Sequence, residues 1–193
     1  MRLGAVLEAD SEPRVSIVPN SVPKLMKLGF EVVIESNAGL KSGYSNSEYE
    51  SKGALIVNSD EVLNSDIVTS IGIPQISKMK SGSMLACIAD PFRFPENTKK
   101  IIESKITLLS LEVIPRRLSK GQSMDVNSSQ DNLSGYYAAL TAASNMPKLM
   151  PMMTTAAGTI RPAKFVIQGA AVAGLQAIAT AKRLGAILYA IDV

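Results

Sequence analysis

The chain has 193 residues, of which 46% are hydrophobic and 19% are charged, and its net charge is +3. This composition is typical of a globular protein, and no run of about eighteen apolar residues is present to cross a bilayer. The absence of histidine excludes catalytic triads, histidine-based acid/base chemistry and most zinc sites, so we expect no metal site. The small net charge is spread along the chain, which argues against nucleic-acid binding.

Short apolar strands alternate with helical patterns over the first two-thirds of the chain. This alternation predicts a parallel sheet with helices on both faces, and therefore a doubly wound α/β domain over residues 1–125. The predicted strands are Leu3–Leu7, Glu31–Ile34, Ala54–Val57, Ile67–Ser70, Met84–Ile88 and Ile106–Leu111. The segments predicted to be helical or helix-like are Ser21–Leu28, Ser47–Lys52, Ser59–Asn64, Gln75–Lys80 and Glu96–Ser104.

A polar loop, RRLSKGQSMDVNSSQ at residues 116–130, follows the last of these strands. Ligands of open α/β sheets bind just outside the carboxyl ends of the strands, so the position of this loop favours a functional role. The alternative is that Asn127, Ser128 or Ser129 only caps the next helix, predicted from about Gln130 to Asn145. The two interpretations are compatible, because a capping turn is a rigid place to mount ligand contacts.

The last thirty residues predict a strand, a glycine turn, a helix and a second strand. The strands are Phe165–Ile167 and Ile187–Ile191, the helix is Ala170–Leu184, and Asp192 follows directly. In this order a glycine turn and a helix N-terminus bind a pyrophosphate, and the acidic residue binds a ribose. Ala171 departs from the GxGxxG pattern, and its methyl group narrows the approach of a pyrophosphate to the backbone without forbidding it. The alternative is an ordinary βαβ unit that binds no ligand, in which the small residues only allow the helix to pack closely.

The domain organisation that follows has three segments. After the first domain, residues 126–163 form an interdomain helix and linker, ending in the linker Thr154–Pro162. Residues 164–193 would form the first βαβ unit of a Rossmann dinucleotide-binding domain. Because the chain ends at Val193, we expect this second domain to be incomplete, with the edge and apolar face of its two-stranded sheet uncovered.

Several segments together resemble one family. The sequences RLSKGQSMDVNSSQDNLSGYYA and MMTTAAGTIRPAKFVIQGAAVAGLQAIATAKRLGA, with the terminal Asp192, are similar to the NAD-binding α subunit (domain I) of proton-translocating NAD(P) transhydrogenase. The N-terminal segments EPRV and KLMKLGFEVVIESNAG agree with it. The resemblance covers essentially the whole chain and extends to the alanine dehydrogenase/transhydrogenase superfamily.

The resemblance implies a set of site residues and a reaction. It implies that NAD(H) binds here and passes hydride to NADP(H) on a partner domain, without a proton donor. The loop residues that would surround the nicotinamide are Arg117, Gln122, Asp125 and Ser128. The pyrophosphate turn would be Gly169, Ala171, Val172, Ala173 and Gly174, with Asp192 on the adenosine ribose.

The resemblance also implies partners and a location. The chain would assemble as a homodimer with NADP-binding and membrane subunits, peripheral to the membrane on its cytoplasmic or matrix-side face and without a span of its own. One alternative is an alanine-dehydrogenase-like oxidoreductase. That family uses a lysine and a histidine, near the positions of Ser70 and Ala89, to manage the carbonyl and the protons of the substrate. Neither Ser70 nor Ala89 can do this, although Arg14 is present. Another alternative is a truncated remnant without catalytic activity.

Overall fold

The computed structural model describes every residue from Met1 to Val193 and separates two compact units, Met1–Pro115 and Arg116–Val193. The division lies earlier in the chain than the domain end predicted at residue 125. The polar loop and the helix after it, which the sequence divided between a first domain and an interdomain segment, therefore lie in the second unit.

The first unit contains one six-stranded sheet whose paired neighbours are all parallel, with the order β3-β2-β1-β4-β5-β6. This arrangement confirms the predicted doubly wound α/β fold. The order reverses between β1 and β4, which is the place where sheets of this kind bind ligands. The strands are β1 (Arg2–Ala5), β2 (Glu31–Glu35), β3 (Leu55–Val57), β4 (Ile67–Thr69), β5 (Met84–Cys87) and β6 (Thr107–Ser110).

The helices of this unit are α1 (Val22–Lys27), α2 (Asn46–Ser51), α3 (Ser59–Leu63) and α4 (Pro95–Glu103). Capping side chains fix two of the starts: Ser45 and Glu48 form a capping box at α2, and Asn58 accepts from the Glu61 N–H at α3. The segment Gln75–Lys80, predicted to be helical or helix-like, forms a short 3-10 helix, Ile76–Lys78. Gln75, the residue before this turn, supplies no side-chain cap that would stabilise the start of an α-helix.

Buried apolar clusters lie on the two faces of this sheet. Successive side chains of a strand point to opposite faces, and β2 shows this directly. Val32 and Ile34 belong to one cluster and Val33 to the other, and all three are almost fully buried. Such double-sided burial is the mark of a parallel sheet covered by helices.

The second unit consists of three helices, a hairpin and a parallel strand pair. Helices α6 and α7 pack on each other over a small core that contains Ala139, Met150, Ala163 and Ala181. None of the helices in the chain combines the length and the apolar character that a membrane span requires. The elements are α5 (Ser119–Gln122), α6 (Val126–Asn145), β7 (Met153–Thr155), β8 (Gly158–Ile160), β9 (Lys164–Gln168), α7 (Val172–Arg183) and β10 (Ile187–Ile191).

Two details of this unit differ from the expectations. Helix α6 begins at Val126 instead of about Gln130, because its cap is Asp125 and not one of the three residues proposed for that role. The predicted linker Thr154–Pro162 overlaps the exposed antiparallel hairpin of β7 and β8, which begins one residue earlier at Met153 and has Gly158 at a φ of 136°. Strands β9 and β10 pair only with each other, as expected, and Val166 and Tyr189 on their outer face are exposed.

Candidate functional site

Two glycines, Gly169 in the turn after β9 and Gly174 in the first turn of α7, are required by the local geometry. Gly169 has a φ of 91°, a conformation that side chains disfavour, and its N–H donates to the carbonyl of Ile191 at 2.8 Å. A Cβ on Gly174 would lie 1.8 Å from the carbonyl oxygen of Gly169. The turn can therefore fold tightly over the start of α7 only with glycine at both positions.

Ala171 occupies the remaining motif position without strain. Its φ of −71° and ψ of −166° are open to any residue, and its side chain is exposed. Ala171 is the N-cap of α7, and no side chain caps the helix there. The first turn of α7, which includes Val172 and Ala173, therefore begins without a capping side chain at Ala171, and a helix start of this kind is the usual setting for binding an anion.

Asp192 lies beside the glycine turn. Its Oδ2 accepts from the N–H of Ala170 at 2.8 Å, and its Oδ1 accepts from the N–H of Val193 at 2.8 Å. The residue is exposed at the carboxyl end of β10. The first of these bonds ties the end of β10 to the turn and brings the predicted ribose acid next to the predicted pyrophosphate site.

Asp125 is held rigidly at the start of α6. Its Oδ1 accepts from the N–H of Ser128 at 3.0 Å, and its Oδ2 accepts from the hydroxyl of Ser128 at 2.6 Å. These two bonds, with a smaller contribution from the guanidinium of Arg116 at 3.9 Å, lower the pKa of the Asp125 carboxyl. The carboxylate is therefore ionised at neutral pH and keeps a fixed orientation.

One cavity brings residues of the polar loop together with the start of α7. Its volume is about 600 Å³, and Gln122, Asp125 and Ser128 line it with Val172. The other predicted residues, namely Arg117, Gly169, Ala171, Ala173, Gly174 and Asp192, do not line this cavity.

Sequence reasoning missed several residues of this site. Ser129, Asn132 and Leu133 also line the cavity. On a helix that begins after Asp125, residues three or four positions apart lie on one face, so these three residues share a face with Asp125 and Ser128. A predicted helix that started at this cap would have identified them. Arg116, which the sequence analysis did not single out, places its guanidinium 3.9 Å from the carboxylate of Asp125.

A second cavity, of about 410 Å³, lies in the first unit where the strand order reverses. Glu8 follows β1 and accepts from the N–H groups of Ile71 at 2.5 Å and Gly72 at 3.3 Å, beyond β4. Arg14 forms an ion pair with Glu12 at 2.6 Å beside it. The charged groups of this cavity are thus engaged with protein partners.

Two family models together match nearly the whole chain. The model for "Alanine dehydrogenase/PNT, N-terminal domain" matches residues 5–134, and that for the C-terminal domain matches residues 138–193. An NAD(P) transhydrogenase subunit alpha protein from Rhodospirillum rubrum is 39% identical over 192 residues, which cover 94% of this chain and 50% of the relative. Alanine dehydrogenase 1 from Staphylococcus aureus is 33% identical over 106 residues, which cover 53% of this chain and 28% of the relative.

A solved structure agrees with these matches. The crystal structure of transhydrogenase from Sinorhizobium meliloti has a TM-score of 0.96 and 42% identity to this chain, and the match covers 100% of this chain and 59% of that one. The two matched domains define the class: the chain belongs to the alanine dehydrogenase/PNT family. Within the family it is similar over nearly its whole length to NAD(P) transhydrogenase α subunits, which confirms the resemblance read from the sequence. The chain spans about half the length of the R. rubrum relative.

Proposed function

We propose that this chain belongs to the NAD(H)-binding component of an NAD(P) transhydrogenase. In this role it takes part in hydride transfer between NADH and NADP⁺ on a partner domain, coupled to proton translocation by membrane subunits. The observation that carries the proposal is the shared cavity, in which Gln122, Asp125 and Ser128 face Val172 at the start of α7. The similarity to the R. rubrum transhydrogenase subunit supports it.

The residues of the turn fit a dinucleotide. Gly169 has open space where a side chain would stand, Gly174 lets the turn close against α7, and the uncapped start of α7 offers N–H groups to a pyrophosphate. Asp192 is the acceptor for the ribose hydroxyls, one strand away. Its present bond to the Ala170 N–H shows that its carboxylate reaches the turn.

The residues of the polar loop would orient the reacting end. When bound, NADH would supply the hydride. Asp125 is a fixed, ionised acceptor for an amide or hydroxyl donor, and Ser128 holds it in place. Gln122 and Arg117 are exposed and can reach outward, with Gln122 directed to the second cofactor in this proposal. None of these groups is required to donate a proton, which suits a chain without histidine.

The assembly belongs to the same proposal. We infer a homodimer that associates with NADP-binding and membrane subunits on the cytoplasmic or matrix-side face of the membrane, as its resemblance to transhydrogenase subunits implies. The alanine dehydrogenase alternative is weaker, because the match to that enzyme covers 53% of the chain. In addition, the positions of its lysine and histidine hold Ser70 and Ala89, and both are buried.

A reconstitution tests this function. The chain is mixed with the purified NADP-binding subunit of a transhydrogenase, and NADH oxidation is followed when NADP⁺ is added. We expect transfer in the wild type and a loss of about tenfold or more in Gln122→Ala, since misplacing one reactant has a large effect on rate. Ser119→Ala, an exposed change in the same short helix outside the cavity, is the control and should keep the wild-type rate. Absence of transfer in the wild type would contradict the proposal.

A further inference from the structure

We propose that Gly135 is a positioning residue: by having no side chain, it sets the distance between helix α6 and the first turn of α7. That distance sets the width of the cavity that the polar loop and α6 form with Val172 at the start of α7. The inference rests on the proposed NAD(H) function, and it assigns a role to a residue in the middle of α6 that does not itself line the cavity.

The contact at Gly135 leaves no room for a methyl group. The residue is buried, and a Cβ on it would lie 2.0 Å from the carbonyl oxygen of Ala173 and 2.8 Å from the carbonyl carbon. Cβ atoms essentially never approach another heavy atom closer than 3.0 Å. The obstacle is backbone, which cannot rotate away as a side chain can, so one added carbon forces the two helices about 1 Å apart.

The first turn of α7 is held from two sides. On one side it meets α6 at Gly135, and on the other Gly174 lies directly against the carbonyl of Gly169. Val172, next to Ala173, lines the cavity, and Asp125 and Leu133 of the α6 side line it too. The cavity thus has an α6 wall, which includes Asp125 and Leu133, and an α7 wall, which includes Val172. A shift at Gly135 moves one wall relative to the other and leaves the hydrogen bonds within each wall intact.

This geometry separates two ligands. ADP would contact only the glycine turn and Asp192, which move together because Asp192 bonds to Ala170. NADH would contact the glycine turn and Asp192, and also Asp125 and Ser128 at the start of α6. The spacing of the two helices should therefore matter for the dinucleotide and not for the mononucleotide.

Calorimetric titration of NADH and ADP into wild type and Gly135→Ala tests the inference. We expect Gly135→Ala to weaken NADH binding about tenfold or more, because a displacement of this size disrupts simultaneous contacts. ADP binding should stay within about twofold, since its contacts lie on one wall. Ser134→Ala, an exposed change at the preceding position, should alter neither affinity.

Other outcomes overturn the inference. Parallel losses for NADH and ADP, or no loss for either, would mean that Gly135 serves only packing. If the wild type bound neither ligand, the proposed function would fall as well, so this result is distinguishable from a failure of the inference alone.

If Gly135→Ala does not fold, Ala139→Val decides the question. Ala139 is buried one turn along the same face of α6 and shares a core cluster with Ala181 of α7, so its enlargement should separate the same helices. The same selective loss of NADH is expected, and equal losses would contradict it.

Discussion

Asp125 combines a structural role with the proposed chemical one, and a substitution can separate them. Asparagine caps a helix about as well as aspartate, so Asp125→Asn should melt within a few degrees of the wild type. It removes the fixed negative charge, and we expect hydride transfer to slow about tenfold or more. Asp131→Asn, an exposed change in the same helix, is the control for charge alone. If melting temperature and rate fell together in Asp125→Asn, the residue would be a cap and nothing more.

Glu8 makes stability depend on pH in the first unit. Burial raises the pKa of its carboxyl above the usual 4.5, although the N–H groups of Ile71 and Gly72 act in the opposite direction. A raised pKa means that the folded chain holds the proton more tightly than the unfolded chain. The contribution of Glu8 to the free energy of unfolding is therefore fully present below pH 4.5, and it is lost as the pH rises through the pKa of Glu8 in the folded chain.

The test is a set of melting curves from about pH 4 to about pH 7 for wild type and Glu8→Gln. We expect the melting temperature of the wild type to fall relative to that of the variant as the pH rises, because glutamine does not ionise. A constant difference between the two proteins across this range would mean that Glu8 does not titrate in it.

At the scale of elements, the close contact between the glycine turn and α7 predicts a cost in stability. Gly174→Ala places a carbon within 1.8 Å of the Gly169 carbonyl, so either the turn or the helix must move. We expect urea unfolding to show a loss of about 1–3 kcal/mol. The control is Gly72→Ala, where the nearest atom to an added Cβ is 4.0 Å away. Equal stability of these two variants would contradict the described turn.

The elements also show what the sequence can and cannot predict. Short apolar runs predict all six strands of the first sheet and the two strands of the β9–α7–β10 unit. In the first sheet the signal is direct, because parallel strands covered on both faces consist mainly of apolar residues. The hairpin of β7 and β8 escapes prediction, since its residues are exposed and carry no apolar alternation. The predicted start of α6 is late, because several neighbouring residues in that loop are equally good caps.

At the scale of the whole molecule, the candidate site shows a similar limit. The spacing of Gly169, Gly174 and Asp192 predicts a dinucleotide turn from sequence alone, because each residue type has a fixed geometric task there. The roles of Gln122 and Asp125 come only from the resemblance to a family. The contact of Gly135 with Ala173 joins residues far apart in the chain, so only the packed structure reveals it.

Binding of NADH to this chain is the most direct test of the proposed nucleotide site. The purified chain is titrated with NADH while the fluorescence of the cofactor is followed, and the chain has no tryptophan to interfere. We expect saturable binding that is weakened about tenfold or more by Asp192→Ala, since a group built to bond the ribose would be lost. No binding up to millimolar NADH, or equal binding by Asp192→Ala, would contradict a nucleotide site at the glycine turn.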